Sequence, residues 1–150
     1  VELGLITPED EKKPRMLHND SHKLESAFLG VEIGETRSVF LRSLIGSRLG
    51  VWVSHGEGKF SLPYDESHYD IALKYTYAEY PGNPNGSDYA AAGISSADGR
   101  HLAIMPHAER SMKPWNWAWY PEERENDEVS PWIEMFVNAR RWIEQNRKKK

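Results

Sequence analysis

Apolar residues in this chain fall mainly into short alternating runs, and only near the C-terminal end do they repeat at helical spacing. Ala27, Leu29, Val31 and Ile33 alternate, which predicts a half-buried strand. Gly50-Val51-Trp52-Val53 is short, β-branched and aromatic, a strand composition, and it runs into Ser54-His55-Gly56-Glu57-Gly58. Ile71, Leu73, Tyr75 and Tyr77 alternate within a third strand from Ile71 to Tyr80, which Pro81-Gly82-Asn83-Pro84-Asn85-Gly86 must end in a turn. Ala90 to Ser95 and His101 to Met105 read as two strands joined through Asp98-Gly99, a pair suited to the left-handed backbone of a tight hairpin. Ser130 and Pro131 supply an N-cap and a first-turn proline for a helix from Pro131 to Gln145, with Trp132, Phe136, Ala139 and Ile143 expected on its apolar face. The basic run Arg147 to Lys150 suits the negative end of that helix.

Between these elements the pattern is weaker. Val1 to Ile6 reads as the end of an apolar helix stopped by Thr7-Pro8. Residues 7 to 23 are polar and broken by Pro8 and Pro14, which predicts a surface loop. Arg37 to Leu49 holds either a short strand or a helical turn around Val39-Phe40-Leu41. No internal repeat or low-complexity segment is present.

With 150 residues, 39% hydrophobic and 28% charged, the chain is expected to form one domain around a single core. A net charge of -4 argues against a phosphate-neutralising surface, so no nucleic acid is expected as a partner. No apolar stretch reaches the length needed to span a bilayer, so no membrane role is expected and the cytosol is the default location. The chain contains no cysteine, which excludes disulfides, thiolate metal sites and a cysteine nucleophile within these residues.

Candidate chemistry concentrates in Met105-Pro106-His107-Ala108-Glu109-Arg110, where a short strand ends and a loop begins. In thiol-dependent acyl transfer an imidazole holds the nucleophile as thiolate and protonates the leaving amine, while a carboxylate fixes the imidazole tautomer. His107 and Glu109 have the side chains for those two roles, although on spacing alone a surface ion pair is the commoner reading of such a pair. The glycines of Ser54 to Gly58 would let backbone amides approach a ligand, or would serve only the geometry of a turn. His18 and His22 have the i, i+4 spacing of a helical metal pair, but Pro14 and Asn19-Asp20-Ser21 favour a solvated loop. Trp115, Trp117 and Trp119 could stack on a sugar or base; packing, in a core or against other domains of a longer parent chain, is favoured, because Glu122 to Glu128 follow closely and would repel phosphates.

Met105 to Arg110 resembles the Met-Pro-His-Pro-Glu-Arg signature of the triad-type (class I) glutamine amidotransferases. Val53 to Gly58 resembles the Ser-His-Gly-Glu-Gly segment of one branch, the large single-chain synthases that aminate formylglycinamide ribonucleotide. Asn83 to Ser87, and Ser130-Pro131-Trp132 with Asn138-Ala139-Arg140, are similar to that branch in the same order. Ala108 departs from the usual proline.

The resemblance implies an α/β fold, a central mixed sheet flanked by helices, of which residues 1 to 150 hold the later strands and closing helix as the C-terminal portion of a glutaminase domain. It implies catalytic roles for His107 and Glu109, and glutamine binding by Ser54, His55 and Gly56. Glutamine and the synthetase domain of a longer parent chain are the implied partners. ATP and magnesium belong to that synthetase domain, and no cofactor is expected in these residues. The nucleophilic cysteine is expected upstream of Val1, and these 150 residues alone are expected to be inactive. A non-catalytic amidotransferase-like interaction module, a pseudoenzyme, equally accommodates the absence of cysteine.

Overall fold

The computed structural model describes residues 1–147, and the statements below concern these residues. The described residues form strands β1 (Arg15–Leu17), β2 (Glu25–Ile33), β3 (Arg48–His55), β4 (Lys59–Ser61), β5 (Asp70–Tyr75), β6 (Ala91–Ser95) and β7 (Leu102–Ile104), of which β2, β3, β5, β6 and β7 come from the runs expected to be strands. The helix-spaced run becomes α1 (Glu134–Arg147). β2 and β3 form a long antiparallel ladder that pairs Val31 with Leu49, Ala27 with Val53 and Glu25 with His55. β2 also pairs with β5, β5 with β6 across two register irregularities, and β6 with β7, giving the order β3-β2-β5-β6-β7. Every described pairing is antiparallel, and β1 with β4 makes a separate two-stranded sheet. The result is the expected α/β class, a sheet with a closing helix.

Because side chains alternate across a strand, one register fixes which residues share a face. Val31, Ile33, Val51, Val53, Leu73 and Tyr75 form the main core with Leu41, Leu44, Trp132 and Met135. A second cluster, Ile6, Phe60, Leu62, Tyr69, Ala91 and Ile94, lies under the small sheet. The two ends of the five-stranded sheet meet beyond β7, where the His107 N–H donates to Trp52 O of β3 at 2.7 Å. The sheet therefore curls, and the Pro106 to Arg110 segment lies beside the end of β3.

Several expectations are corrected. Val1 to Ile6 is a set of turns and not a helix end: Gly4 takes a left-handed φ of 69°, and Ile6 enters the second cluster. Residues 7 to 23 are not all surface loop, since β1 pairs with β4 and Asn19 is fully buried. The third strand stops at Tyr75 because Lys74 already faces Ala91, the first residue of β6, and Tyr77 is exposed. Around Val39-Phe40-Leu41 the chain forms successive turns that bury Leu41 and Leu44, the helical-turn alternative.

The hairpin turn forms as expected, with Gly99 at a φ of 72°. Ser130 also caps as expected, its hydroxyl accepting from the Trp132 N–H at 3.3 Å, but the first turn, Pro131–Ile133, is a 3-10 helix. With three residues per turn instead of 3.6, that start rotates the face that follows. Met135 and Asn138 are buried, while Phe136 and Ile143 are exposed. Asn138 suits its interior position because its amide donates to Phe40 O and Ser43 Oγ at 3.0 and 2.7 Å. Lys148 to Lys150 of the expected basic run lie outside the described residues.

Candidate active site

β7 ends at Ile104, and the backbone bond from His107 to Trp52 fixes the chain just beyond it. A 3-10 turn, Ala108–Ser111, follows immediately, bringing Glu109 back alongside His107. His107 Nδ1 lies 2.6 Å from Glu109 Oε1. An ionised carboxylate only accepts, so Nδ1 carries the proton, and Nε2 of the neutral ring is the nitrogen free to act as a base. Arg110 Nε stands 3.9 Å from the same Glu109 oxygen and is its positive neighbour. The His107 side chain is 22% exposed and that of Glu109 62%. An ion pair that open contributes little to stability.

His55, the last residue of β3, stacks on His107 with ring centroids 4.7 Å apart and planes 11° from parallel. Burial lowers the His55 pKa below the ordinary histidine value, and the neighbouring His107 lowers it further. The Met105 carbonyl and Glu109 oppose that shift, and Arg110 adds to it. His55 is therefore biased to the neutral ring. Gly56 follows with open space where a side chain would sit. Gly58 is crowded: a Cβ there would collide with the Asn85 side chain and come 3.0 Å from Met105 Sδ.

A family model described as CobB/CobQ-like glutamine amidotransferase domain matches residues 1–143. The chain belongs to this glutamine amidotransferase family. Among curated relatives, it is 43% identical over 150 aligned positions to "Probable phosphoribosylformylglycinamidine synthase, chloroplastic/mitochondrial" of Arabidopsis thaliana, covering 90% of this chain and 11% of that protein. It is 40% identical over 137 positions to human phosphoribosylformylglycinamidine synthase, covering 83% of this chain and 10% of the relative. The Dictyostelium discoideum enzyme of the same name is 39% identical over 149 positions, covering 88% and 11%. The chain thus spans about a tenth of the length of these relatives. A solved chain of PurLQS from Thermotoga maritima superposes with a TM-score of 0.68 at 21% identity, over 95% of this chain and 56% of that one, a likeness of fold.

Within this amidotransferase domain, the residues singled out from sequence are not all brought together. His107, Glu109 and His55 form one cluster. Ser54 precedes His55 in β3, so strand alternation directs its side chain to the opposite face. His18 and His22 sit in a loop, His22 with a φ of 55°, and His18 Nδ1 lies 3.5 Å from Glu57 Oε1. Of the three alternating tryptophans, Trp117 packs between Phe28 and Tyr120 and donates to Ser111 O at 2.8 Å. Trp115 and Trp119 are exposed, so they do not pack within the described residues.

Among the described residues, no three His, Cys, Asp or Glu side chains converge as a metal-ligand set. A cavity of about 840 Å³ lies between Gly34 to Arg37 and Glu66 to Lys74 and includes neither histidine of the stacked pair. Its polar groups already pair locally, the Arg37 N–H with Asp70 and Lys74 with Glu66. This cavity and the candidate histidines therefore fall in different places. Sequence reasoning missed Asn19 and Asn85, both fully buried behind the Ser54 to Gly58 segment. Nothing in polarity patterning signals a buried asparagine, because its burial depends on partners distant in sequence.

Proposed function

We propose that this amidotransferase domain supplies the histidine and glutamate of a Cys-His-Glu glutaminase, with the thiolate contributed from outside residues 1 to 150. The observation that carries this reading is the 2.6 Å contact between His107 Nδ1 and Glu109 Oε1, which leaves Nε2 as the working base. In this reading His107 takes the thiol proton. The thiolate attacks the side-chain amide carbon of glutamine, and His107 returns the proton to the nitrogen as the C–N bond breaks and ammonia leaves. Water, deprotonated by the same imidazole, then cleaves the thioester to glutamate and regenerates the thiol.

Glutamine's amino-acid end is assigned to the Ser54 to Gly58 segment, where Gly56 leaves space for a ligand near the backbone. Ser54 contributes through its backbone, since its side chain faces away from His55. The names of the relatives extend the reading to a whole enzyme. There, ammonia passes to a synthetase domain that uses ATP and magnesium to convert formylglycinamide ribonucleotide to its amidine in purine biosynthesis. A cytosolic address is proposed with it, although one relative carries an organellar name.

The test is His107→Ala in the complete enzyme that contains these residues, comparing two nitrogen sources. Glutamine-dependent amination should fall by about 100-fold or more, the range for a lost general acid-base group, while ammonia-dependent amination stays within twofold or so. Equal loss with both sources would make His107 structural. No glutamine-dependent activity in the unsubstituted enzyme would favour the non-catalytic module.

A further inference from the structure

The 18 to 23 loop and the Asn83 to Ser87 turn meet behind the Ser54 to Gly58 segment, and Asn19 occupies the junction. Its backbone N–H donates to Gly56 O at 3.0 Å. Its side-chain Nδ2 donates to His55 O at 2.5 Å and to Lys23 O at 2.9 Å. Its Oδ1 accepts from the Gly58 N–H at 3.0 Å and from Asn85 Nδ2 at 2.8 Å. Tyr75, deep in the main core, donates its hydroxyl to Asn85 Oδ1 at 2.9 Å, which fixes which way the Asn85 amide faces. That orientation in turn fixes Asn19, whose Oδ1 must be the atom turned toward Asn85 Nδ2.

One fully buried asparagine thus holds three members of the site segment, His55 and Gly58 through its carboxamide and Gly56 through its backbone N–H. The need for it follows from topology. β3 ends at His55, so the sheet ladder no longer fixes the backbone beyond that residue. Asn19 continues the hydrogen bonding where the ladder stops, and the direction of the His55 ring depends on the backbone so held. Only a carboxamide offers a donor to His55 O and an acceptor to Gly58 N–H from one planar group; aspartate loses the donor, and leucine loses both.

We propose that Asn19 is the positioning residue of this site: it holds the His55 to Gly58 backbone so that the His55 imidazole stays stacked on His107. Its importance for catalysis rests on the glutaminase reading, whereas the positioning itself does not. A side chain that only stabilised the fold would leave the ring pair unchanged as long as the protein stayed folded.

The test is NMR on the 150-residue protein with labelled histidines, comparing Asn19→Ala, Asn19→Asp and Asn138→Ala. The last removes a buried carboxamide of similar burial from the α1 contact, away from the histidines. The unsubstituted protein should show a nuclear Overhauser effect between the His55 and His107 rings and slow exchange of the Gly58 amide. Asn19→Ala should lose the inter-ring effect, and Gly58 protection should fall by about tenfold or more, the size of one lost buried hydrogen bond. Asn138→Ala should keep both signatures. Asn19→Asp retains the acceptor for Gly58 and loses the donor to His55 O, so it should keep most of the Gly58 protection and lose the ring contact. It decides the matter if Asn19→Ala does not fold.

Persistence of the inter-ring effect in a folded Asn19 variant, its loss in Asn138→Ala, or its absence from the unsubstituted protein would overturn the proposal. Titration with L-glutamine separates the two readings. If the unsubstituted protein shows no glutamine-dependent shift at His107 while the Asn19 variants still lose the ring contact, the glutaminase reading is weakened and the positioning role stands.

Discussion

The imidazole of His55 lies face to face with that of His107, 4.7 Å between centroids and 11° between planes, at the point where the two ends of the sheet meet. Two imidazolium rings so close would repel, and burial together with His107 lowers the His55 pKa. In the unfolded chain His55 regains an ordinary histidine value of about 6.5. The unfolded state then binds a proton at a higher pH than the folded state, so His55 favours folding less as pH falls from that value through its depressed folded pKa. His55→Gln should therefore flatten the stability-versus-pH curve on the acid side of neutrality, measured by urea denaturation at a series of pH values. An unchanged slope would place the pH dependence elsewhere.

His107 should be held as the Nδ1-protonated tautomer by Glu109, whose carboxylate oxygen is 2.6 Å away. Long-range ¹H–¹⁵N correlation spectra above neutral pH should show that tautomer in the unsubstituted protein and a shift toward Nε2–H in Glu109→Ala. Since the carboxylate is 62% exposed, the same substitution should change stability by less than about 1 kcal/mol. A tautomer indifferent to Glu109 would remove the reason for assigning it an orienting role.

Residues 1 to 150 contain no cysteine, and an imidazole with a carboxylate does not supply covalent catalysis. The isolated 150-residue protein should release no glutamate from glutamine above the buffer rate in a coupled dehydrogenase assay. Turnover that survives dialysis and scales with protein concentration would require a different nucleophile.

Gly58→Ala should disturb the site through packing. The added methyl would collide with Asn85 and crowd Met105 Sδ, both beside the segment that carries His55. A cost of about 1–3 kcal/mol is expected from overpacking, read by urea denaturation, together with a changed His55 imidazole signal. Gly56→Ala, at a position with open space, should cost much less.

Two tryptophans should behave oppositely. Trp132 is fully buried and its indole N–H donates to Gly50 O at 2.9 Å, so Trp132→Ala should destabilise the fold by about 3–5 kcal/mol. Trp119 is 69% exposed, and Trp119→Ser should stay within about 0.5 kcal/mol in the same denaturation measurement.

Much of the site was legible in the chain. The run ending at Met105, followed by His107 and Glu109, placed an imidazole and a carboxylate where a strand gives way to a loop, a local property that sequence order preserves. Alternation likewise located β2 and β3, because burial on one face of a ladder leaves a period of two. The Ser130-Pro131 cap was readable for the same reason, since capping chemistry is contained within a few residues. The family followed from motifs in order, which depend only on sequence.

Tertiary contacts decided the rest. Which face of α1 turns inward was set by its 3-10 start and by two acceptors on the 40 to 43 segment, so Asn138 is buried and Phe136 is not. The stacking of His55 on His107 required the sheet to curl until Trp52 and His107 shared a backbone hydrogen bond. Asn19 reads as a polar loop residue until Gly56, Gly58 and Asn85 are brought around it from 37 to 66 positions away. Sequence by itself determined the candidate side chains and the main strands of the five-stranded sheet, because those depend on neighbours along the chain. Only the tertiary structure decided which of them touch, because a buried polar group is tolerated or excluded according to hydrogen-bond partners that the closed fold alone supplies.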